Sequence, residues 1–240
     1  MKIFLLLLSA FLLPGVCRAQ KNPDLLMGSV VKSDKWKMDR TNNIETFTGN
    51  VSFKNPSYVL KADNAVYNRD KSVWNLSGSV YTLRYLKDLS QVEMRCDRAR
   101  YLELDEEAYL ERGALPVRFK YLGADGRILN GRSARAWGEN KKALMHFNGA
   151  FALTTENLEL YSEQALYDNA QSTFLLYDST SPHPETLPAA LGKREGYDFA
   201  IAAETIKFFK DSRDIKFYNR VSGWTKDVPR PAAADSRKKL

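Results

Sequence analysis

Cysteine and histidine are nearly missing from this chain, with two of each in 240 residues. That leaves no Cys/His cage for zinc and little material for histidine-based catalysis. Long apolar runs are missing too. Ile3 to Leu13 is uncharged, but nothing later approaches the roughly 20 apolar residues of a membrane-spanning helix. Helical stripes at i, i+3 and i+4 are not sustained after residue 20. There is no glycine-rich phosphate loop and no aspartate ladder for calcium. Glycine (13) and proline (9) are too few for collagen or low-complexity disorder. What is present is 44% hydrophobic and 27% charged, enough for one large domain or two small ones. Twelve Tyr, twelve Phe and four Trp lean toward strands. The net charge of +7 permits an anionic partner without demanding one.

The first residues read as an export signal. Lys2 precedes the run Ile3–Leu13, Pro14 and Gly15 break it, and Cys17 and Ala19 supply small residues before a cut ahead of Gln20. An uncleaved anchor and a lipoprotein cut before Cys17 rank below this reading, because the run is short and Pro14-Gly15-Val16 suits a lipoprotein site poorly. Cleavage after Ala19 removes Lys2, Cys17 and Arg18, which lowers the net charge from +7 to +5 and leaves Cys96 alone. No internal disulfide can form, so the fold must stand on its core.

A repeat runs along residues 30–223. Lys61 to Val80 reads KADNAVYNRDKSVWNLSGSV, Cys96 to Val117 reads CDRARYLELDEEAYLERGALPV, Gly131 to Leu153 reads GRSARAWGENKKALMHFNGAFAL, and Ser162 to Thr180 reads SEQALYDNAQSTFLLYDST. The skeleton is a small residue, two more, Ala, one residue, an aromatic, a polar turn, an apolar strand, Gly and another apolar strand. Ala65, Ala99, Ala134 and Ala165 are the anchors. Tyr67, Tyr101 and Tyr167 follow two places on, with Ala136 and Trp137 there in the third copy. Gly49, Gly78, Gly113 and Gly149 keep similar time. Weaker copies open (Trp36, Met38) and close (Ile206, Phe208, Gly223) the array, making about six units.

Within each unit the period is two. Phe47, Gly49, Val51 and Phe53 alternate with polar residues, as do Trp74, Leu76, Gly78 and Val80, and Met145, Phe147, Gly149, Phe151 and Leu153. Such alternation means strands with one buried face, and the chain is all-β. Asn68–Lys71, Gly138–Lys141, Lys210–Arg213 and Ala124–Arg127 read as hairpin turns, and the mid-strand glycines 78, 113 and 149 as bulges or bends. Residues 179–198, with Pro182, Pro184 and Pro188, read as a long loop insertion. Residues 20–226 then form one domain, and 227–240, ending Arg237-Lys238-Lys239, a flexible basic tail.

The inward aromatics either fill a core or line a groove for an acyl chain, and alternation does not separate the two. Catalysis is not expected. His146 points to the polar face and His183 lies in the proline-rich segment, Asp105-Glu106-Glu107 sits in a turn, and Cys96 takes a small-residue packing slot. No metal or cofactor site is expected. A nucleic-acid partner is disfavoured, since Lys and Arg are scattered among acids and the leader directs export.

The phrase Ala-x-x-Ala-x-Tyr, polar turn, apolar pair and Gly-x-Val, seen in ADNAVYNRDKSVWNLSGSV and supported by Gly49-Asn50-Val51, resembles the OstA-like family of lipopolysaccharide-transport proteins. The resemblance covers about residues 30–223. It implies a curved antiparallel β-jelly roll of hairpin-like repeats with an open apolar trough for lipid A acyl chains. It further implies a periplasmic bridge whose open edge strands pair head to tail with inner- and outer-membrane components or with further copies of itself. Soluble bridge members (LptA-like) fit the short, cleavable leader better than anchored members (LptC-like). On this resemblance the trough residues are Phe47, Val51, Phe53, Tyr67, Trp74, Leu76, Val80, Tyr101, Phe147, Phe151, Leu153 and Phe208. The rival reading is an exported structural or interaction scaffold that uses the same architecture without lipid cargo.

Overall fold

Period-two alternation produces strands almost without interruption in the computed structural model, which describes residues 30–86, 88–178, 187–194 and 197–227. The expected leader, His183, Pro182, Pro184 and the basic end lie outside the described residues. In chain order the strands are β1 (Val30–Lys32), β2 (Lys35–Asp39), β3 (Ile44–Asn55), β4 (Tyr58–Asn68), β5 (Val73–Tyr85), β6 (Gln91–Leu102), β7 (Glu107–Glu111), β8 (Val117–Leu122) and β9 (Ile128–Ser133). They continue as β10 (Arg135–Glu139), β11 (Leu144–Thr154), β12 (Leu158–Asp168), β13 (Thr173–Tyr177), β14 (Ala189–Arg194), β15 (Tyr197–Ala202), β16 (Thr205–Phe209), β17 (Ile215–Tyr218) and β18 (Ser222–Asp227). One 3-10 turn, Asn140–Lys142, interrupts them.

Six strands (β3, β4, β5, β6, β11 and β12) are long and divide their length between two antiparallel sheets. The first sheet completes itself with β2, β7, β10, β13, β16 and β17. The second uses β1, β8, β9, β14, β15 and β18. The sheets meet along a ridge where the long strands bend, and their inner faces share one apolar cluster. Away from the ridge the two sheets end at a mouth. The chain passes the ridge as six unbroken strands and six pairs of short ones, so two passes per hairpin account for the six expected units. The all-β jelly-roll architecture read from the sequence is the one observed.

The bend has a fixed recipe. On β3, β5 and β11 the inward residues flanking it are four apart: Phe47 and Val51, Leu76 and Val80, Phe147 and Phe151. On β4, β6 and β12 they are three apart: Ala65 and Ala62, Ala99 and Cys96, Ala165 and Ser162. The register shifts fall at these places. The extra residue makes a bulge, with left-handed backbone at Gly49-Asn50, Gly78-Ser79 and Gly149-Ala150. A Cβ on Gly78 would come within 2.3 Å of the Asp63 carboxylate, and one on Gly149 within 2.6 Å of the Ala134 Cβ. Each glycine is therefore required twice, by φ and by space. Gly113 departs from expectation, lying between β7 and β8 rather than inside a strand.

Past the ridge, one inner row reads Phe47, Ala65, Leu76, Ala99, Leu110, Ala136, Phe147, Ala165, Leu176 across successive strands. Large and small side chains alternate, so the facing sheet can interdigitate. This row corrects the third copy of the repeat. Ala136 holds the anchor place, after Ser133 in the small slot, while Ala134 lies under Gly149 at the ridge.

The proline-rich loop is also shorter than expected. Ala189–Arg194 is strand β14, and β15 starts at Tyr197. Pro188 is buried immediately before β14, where a missing N–H removes no ladder bond, and Ala190 packs opposite Leu160. Asp227, assigned to the tail, closes β18. Among the described residues β1 and β2 pair only with β3, β17 only with β16 and β18 only with β15, so the outer edges stay open at both ends.

Gly126 and Gly149 both have left-handed φ, but nothing lies within 4 Å of a Cβ on Gly126. Gly126→Ala should cost about 1 kcal/mol, the conformational penalty alone. Gly149→Ala should cost roughly 1–3 kcal/mol more from overpacking. Urea midpoints for the two variants test this, and equal losses would show that the ridge is not tightly packed.

Candidate functional site

Among the described residues, the inner faces of the two sheets enclose one extended apolar surface. Aromatic rings gather there in two groups. In the N-terminal half Phe53 meets Trp74 edge-on at 5.0 Å between centroids, and Tyr67 stacks on Trp74 at 4.3 Å. Farther along, Phe147 lies 4.9 Å from Phe119 and 5.1 Å from Phe151, and Phe174 lies 4.5 Å from Tyr167. A chain of further contacts, ending at Phe174 and Phe208, carries this group toward β16.

All twelve expected trough residues face this interior. Phe47, Val51, Phe53, Trp74, Leu76, Val80, Phe147, Phe151, Leu153 and Phe208 are buried, and Tyr67 and Tyr101 are half-buried against the cluster. The interior is packed by the protein's own side chains: Leu153, Leu160, Leu176, Ile206 and Phe208 are all 0% exposed. Phe119, Leu129, Leu160 and Phe174 belong to the same surface and were missed. The alternation Val117-Phe119-Tyr121 carried the signal for the second strand of its hairpin.

Near the mouth, polar groups finish the apolar faces. Glu103 accepts a hydrogen bond from the Trp74 indole N–H and another from the Tyr67 hydroxyl, each at 2.7 Å. Glu45 accepts from the Trp36 indole at 3.0 Å and from Arg69 at 2.6 Å. Tyr67 and Trp74 thus keep their rings against the interior and their polar edges on one carboxylate, whereas Trp36 is 60% exposed.

Among the described residues, two contacts cross the mouth from sheet to sheet. Lys210, in the turn after β16, donates to the Tyr121 hydroxyl of β8 at 3.1 Å, with its Nζ 4.2 Å from the centre of the Tyr121 ring. Arg127, before β9, donates to the Asp211 carbonyl at 3.3 Å. Burial pulls the Lys210 ammonium toward neutrality, but hydrogen bonds to Tyr121 and Asp211 outweigh it and hold its pKa above the ordinary lysine value. It stays charged at neutral pH. A hollow of about 200 Å³ beside these residues is lined by Asp88, Asp125 and Arg213 among others, and is polar.

The remaining reactive groups do structural work. His146 was expected to be solvated. Instead it stacks flat on Trp137 at 4.4 Å and contacts Glu139 at 2.8 Å, because register places Trp137 directly opposite. Among the described residues no cluster of His, Cys, Asp or Glu is arranged to hold a metal ion. No helix there is long and apolar enough to cross a membrane.

Residues 30–182 match the family described as LptA/(LptD N-terminal domain) LPS transport protein. Among solved structures, the chain is similar to LptH, the LptA-homologous periplasmic component of the conserved lipopolysaccharide transport device from Pseudomonas aeruginosa. The two are 12% identical, the match covers 71% of this chain and 99% of that one, and the TM-score is 0.34. No curated protein matches the chain.

Cys96 reports on how dry the interior is. It is a free, buried thiol in the small slot of its repeat, and burial pushes its pKa up to about 12. A thiol so placed is neither thiolate nor accessible at pH 8. Native protein should react with a disulfide reagent at least a hundredfold more slowly than protein in urea, and comparable rates would mean that the sheets part spontaneously.

Proposed function

Because the chain belongs to the LptA/(LptD N-terminal domain) LPS transport protein family, we propose that it carries lipopolysaccharide across the periplasm, with the acyl chains of lipid A between its two sheets. Family membership makes it a transport component rather than an enzyme. The observation that carries the proposal is the single apolar cluster that runs from Phe47 and Phe53 near one open end to Ile206 and Phe208 near the other. Acyl chains entering it leave water, gaining about 0.8 kcal/mol per buried methylene. Glycan and phosphates stay outside, at the mouth.

The interior is filled by side chains, so lipid enters by spreading the sheets at the mouth while the ridge acts as the hinge line. The contacts to be released there are those of Lys210 and Arg127. The open edges of β1 and β2, and of β17 and β18, present unpaired N–H and C=O groups to inner- and outer-membrane components by β-augmentation. Head-to-tail pairing with a second copy is the other use of the same edges. Lys35, Lys37, Lys216 and Lys226 on these strands discourage indiscriminate pairing.

A photo-crosslinking residue placed at Trp74, at Phe147 and, as an outward control, at Asn75 tests the lipid path in the mature chain. Crosslinks to lipopolysaccharide at the first two and not at the third are expected. Labelling at none, with a folded β spectrum, would favour the exported scaffold without lipid cargo. Lys210→Gln should speed loading of a fluorescent acyl chain while lowering stability by about 1–2 kcal/mol. Unchanged loading would place the entry elsewhere.

A further inference from the structure

On the solvent side of the ridge, opposite the mouth, the register assembles arginines. Arg95, Arg118 and Arg132 are direct cross-strand partners on β6, β8 and β9, and all three are exposed. Like charges directly opposite each other destabilise a sheet. Arg95 is relieved by Glu93 at 2.8 Å and by the Tyr81 ring. Among the described residues no ion pair relieves Arg118 or Arg132. Just across the ridge, Arg98, Arg112 and Arg135 surround a hollow of about 270 Å³ that Ala134 and Asn148 also line. Its carboxylate, Glu111, lies between Arg98 and Arg135 and is 3.6 Å from Arg98. Six arginines face three carboxylates on these strands, Glu93, Asp97 and Glu111, with Glu163 on the neighbouring strand, where it accepts from the Ala150 N–H.

The segment that crosses the ridge here, Arg112-Gly113-Ala114-Leu115-Pro116, is exposed from Arg112 to Leu115, and the Leu115 side chain stands 57% exposed between Arg112 and Arg118. An exposed leucine in a segment flanked by arginines suits an anionic bilayer, where phosphates meet the guanidinium groups and the leucine enters the acyl boundary. A nucleic acid would use the arginines and leave Leu115 without a partner. We propose that the ridge at residues 95–135 docks the protein on an anionic phospholipid surface, with a lipid phosphate in the Arg98–Arg112–Arg135 hollow. The mouth then faces away from that surface and stays free for cargo.

Flotation of the mature chain with vesicles tests this. Binding is expected to vesicles of phosphatidylglycerol and phosphatidylethanolamine, to fall with added salt, and to be absent from phosphatidylcholine vesicles. The double variant R112E/R135E should bind the anionic vesicles roughly tenfold or more weakly, and L115S several-fold more weakly. Both should stay folded, with the repulsion of R135E against Glu111 lowering the melting temperature by only about a few degrees, and both should load an acyl-chain probe normally, so that failure here is distinct from failure of the lipid path. Equal binding to both vesicle types, or unchanged binding by R112E/R135E, would overturn the proposal. So would a single-stranded oligonucleotide that displaces the vesicles and binds L115S as well as wild type, since the patch would then be a site for polyanions in general.

Discussion

The structure depends on strands that bend without turning their apolar face outward. A uniform strand keeps its face by strict alternation, and a single inserted residue would reverse it. Here the strand spacing four between inward residues lies beside one spacing three, so the pair absorbs the mismatch and both continue inward. Asp63 under Gly78 and Ala134 under Gly149 show how little room this leaves. The recurring phrase of a small residue, two more and Ala is the three-spaced partner, and the mid-strand glycine marks the four-spaced one.

Because every pass bends at the same height, the inner rows of both sheets line up along the whole array. The alternation of Phe or Leu with Ala across neighbouring strands then has a consequence for function. A row of uniformly large residues would hold the sheets apart, and a row of small ones would leave voids. Alternation lets the sheets close on each other side chain by side chain. The same geometry leaves the mouth as the place where polar contacts rather than interdigitated apolar ones join the two sheets.

Much of this was readable from local pattern. Strand faces, the turns at Asn68–Lys71 and Ala124–Arg127, and the inward set from Phe47 to Phe208 all follow from short-range alternation and turn chemistry. The third repeat was misphased because Gly131 imitates the small slot that Ser133 occupies, and because Trp137 beside Ala136 imitates the aromatic of other copies. Residues 189–194 were read as loop because proline density outweighed two alanines that need only a small space. The Lys210–Tyr121 contact joins residues 89 positions apart, and the arginine row spans three strands. Neither leaves a trace in sequence spacing, since register across a sheet is a tertiary property.

On the proposed lipid path, a carrier that fills its own interior has a thermodynamic use for doing so. Burial of an acyl tail of a dozen methylenes is worth about 10 kcal/mol at 0.8 kcal/mol each. Parting the sheets withdraws buried side chains such as Phe53, Trp74, Phe147 and Phe151 from one another, and each fully buried large side chain is worth about 1.5–3 kcal/mol. Exposing four or five of them to water before a tail covers them would cost about as much as one tail gains. On the proposed path, loading therefore trades protein–protein for protein–lipid contacts, and the sheets close again as cargo moves on. An empty preformed trough of the same area would hold the tail more tightly and expose the apolar surface between loads. On that path the closed interior favours passage over storage, with the same alternation that makes the fold.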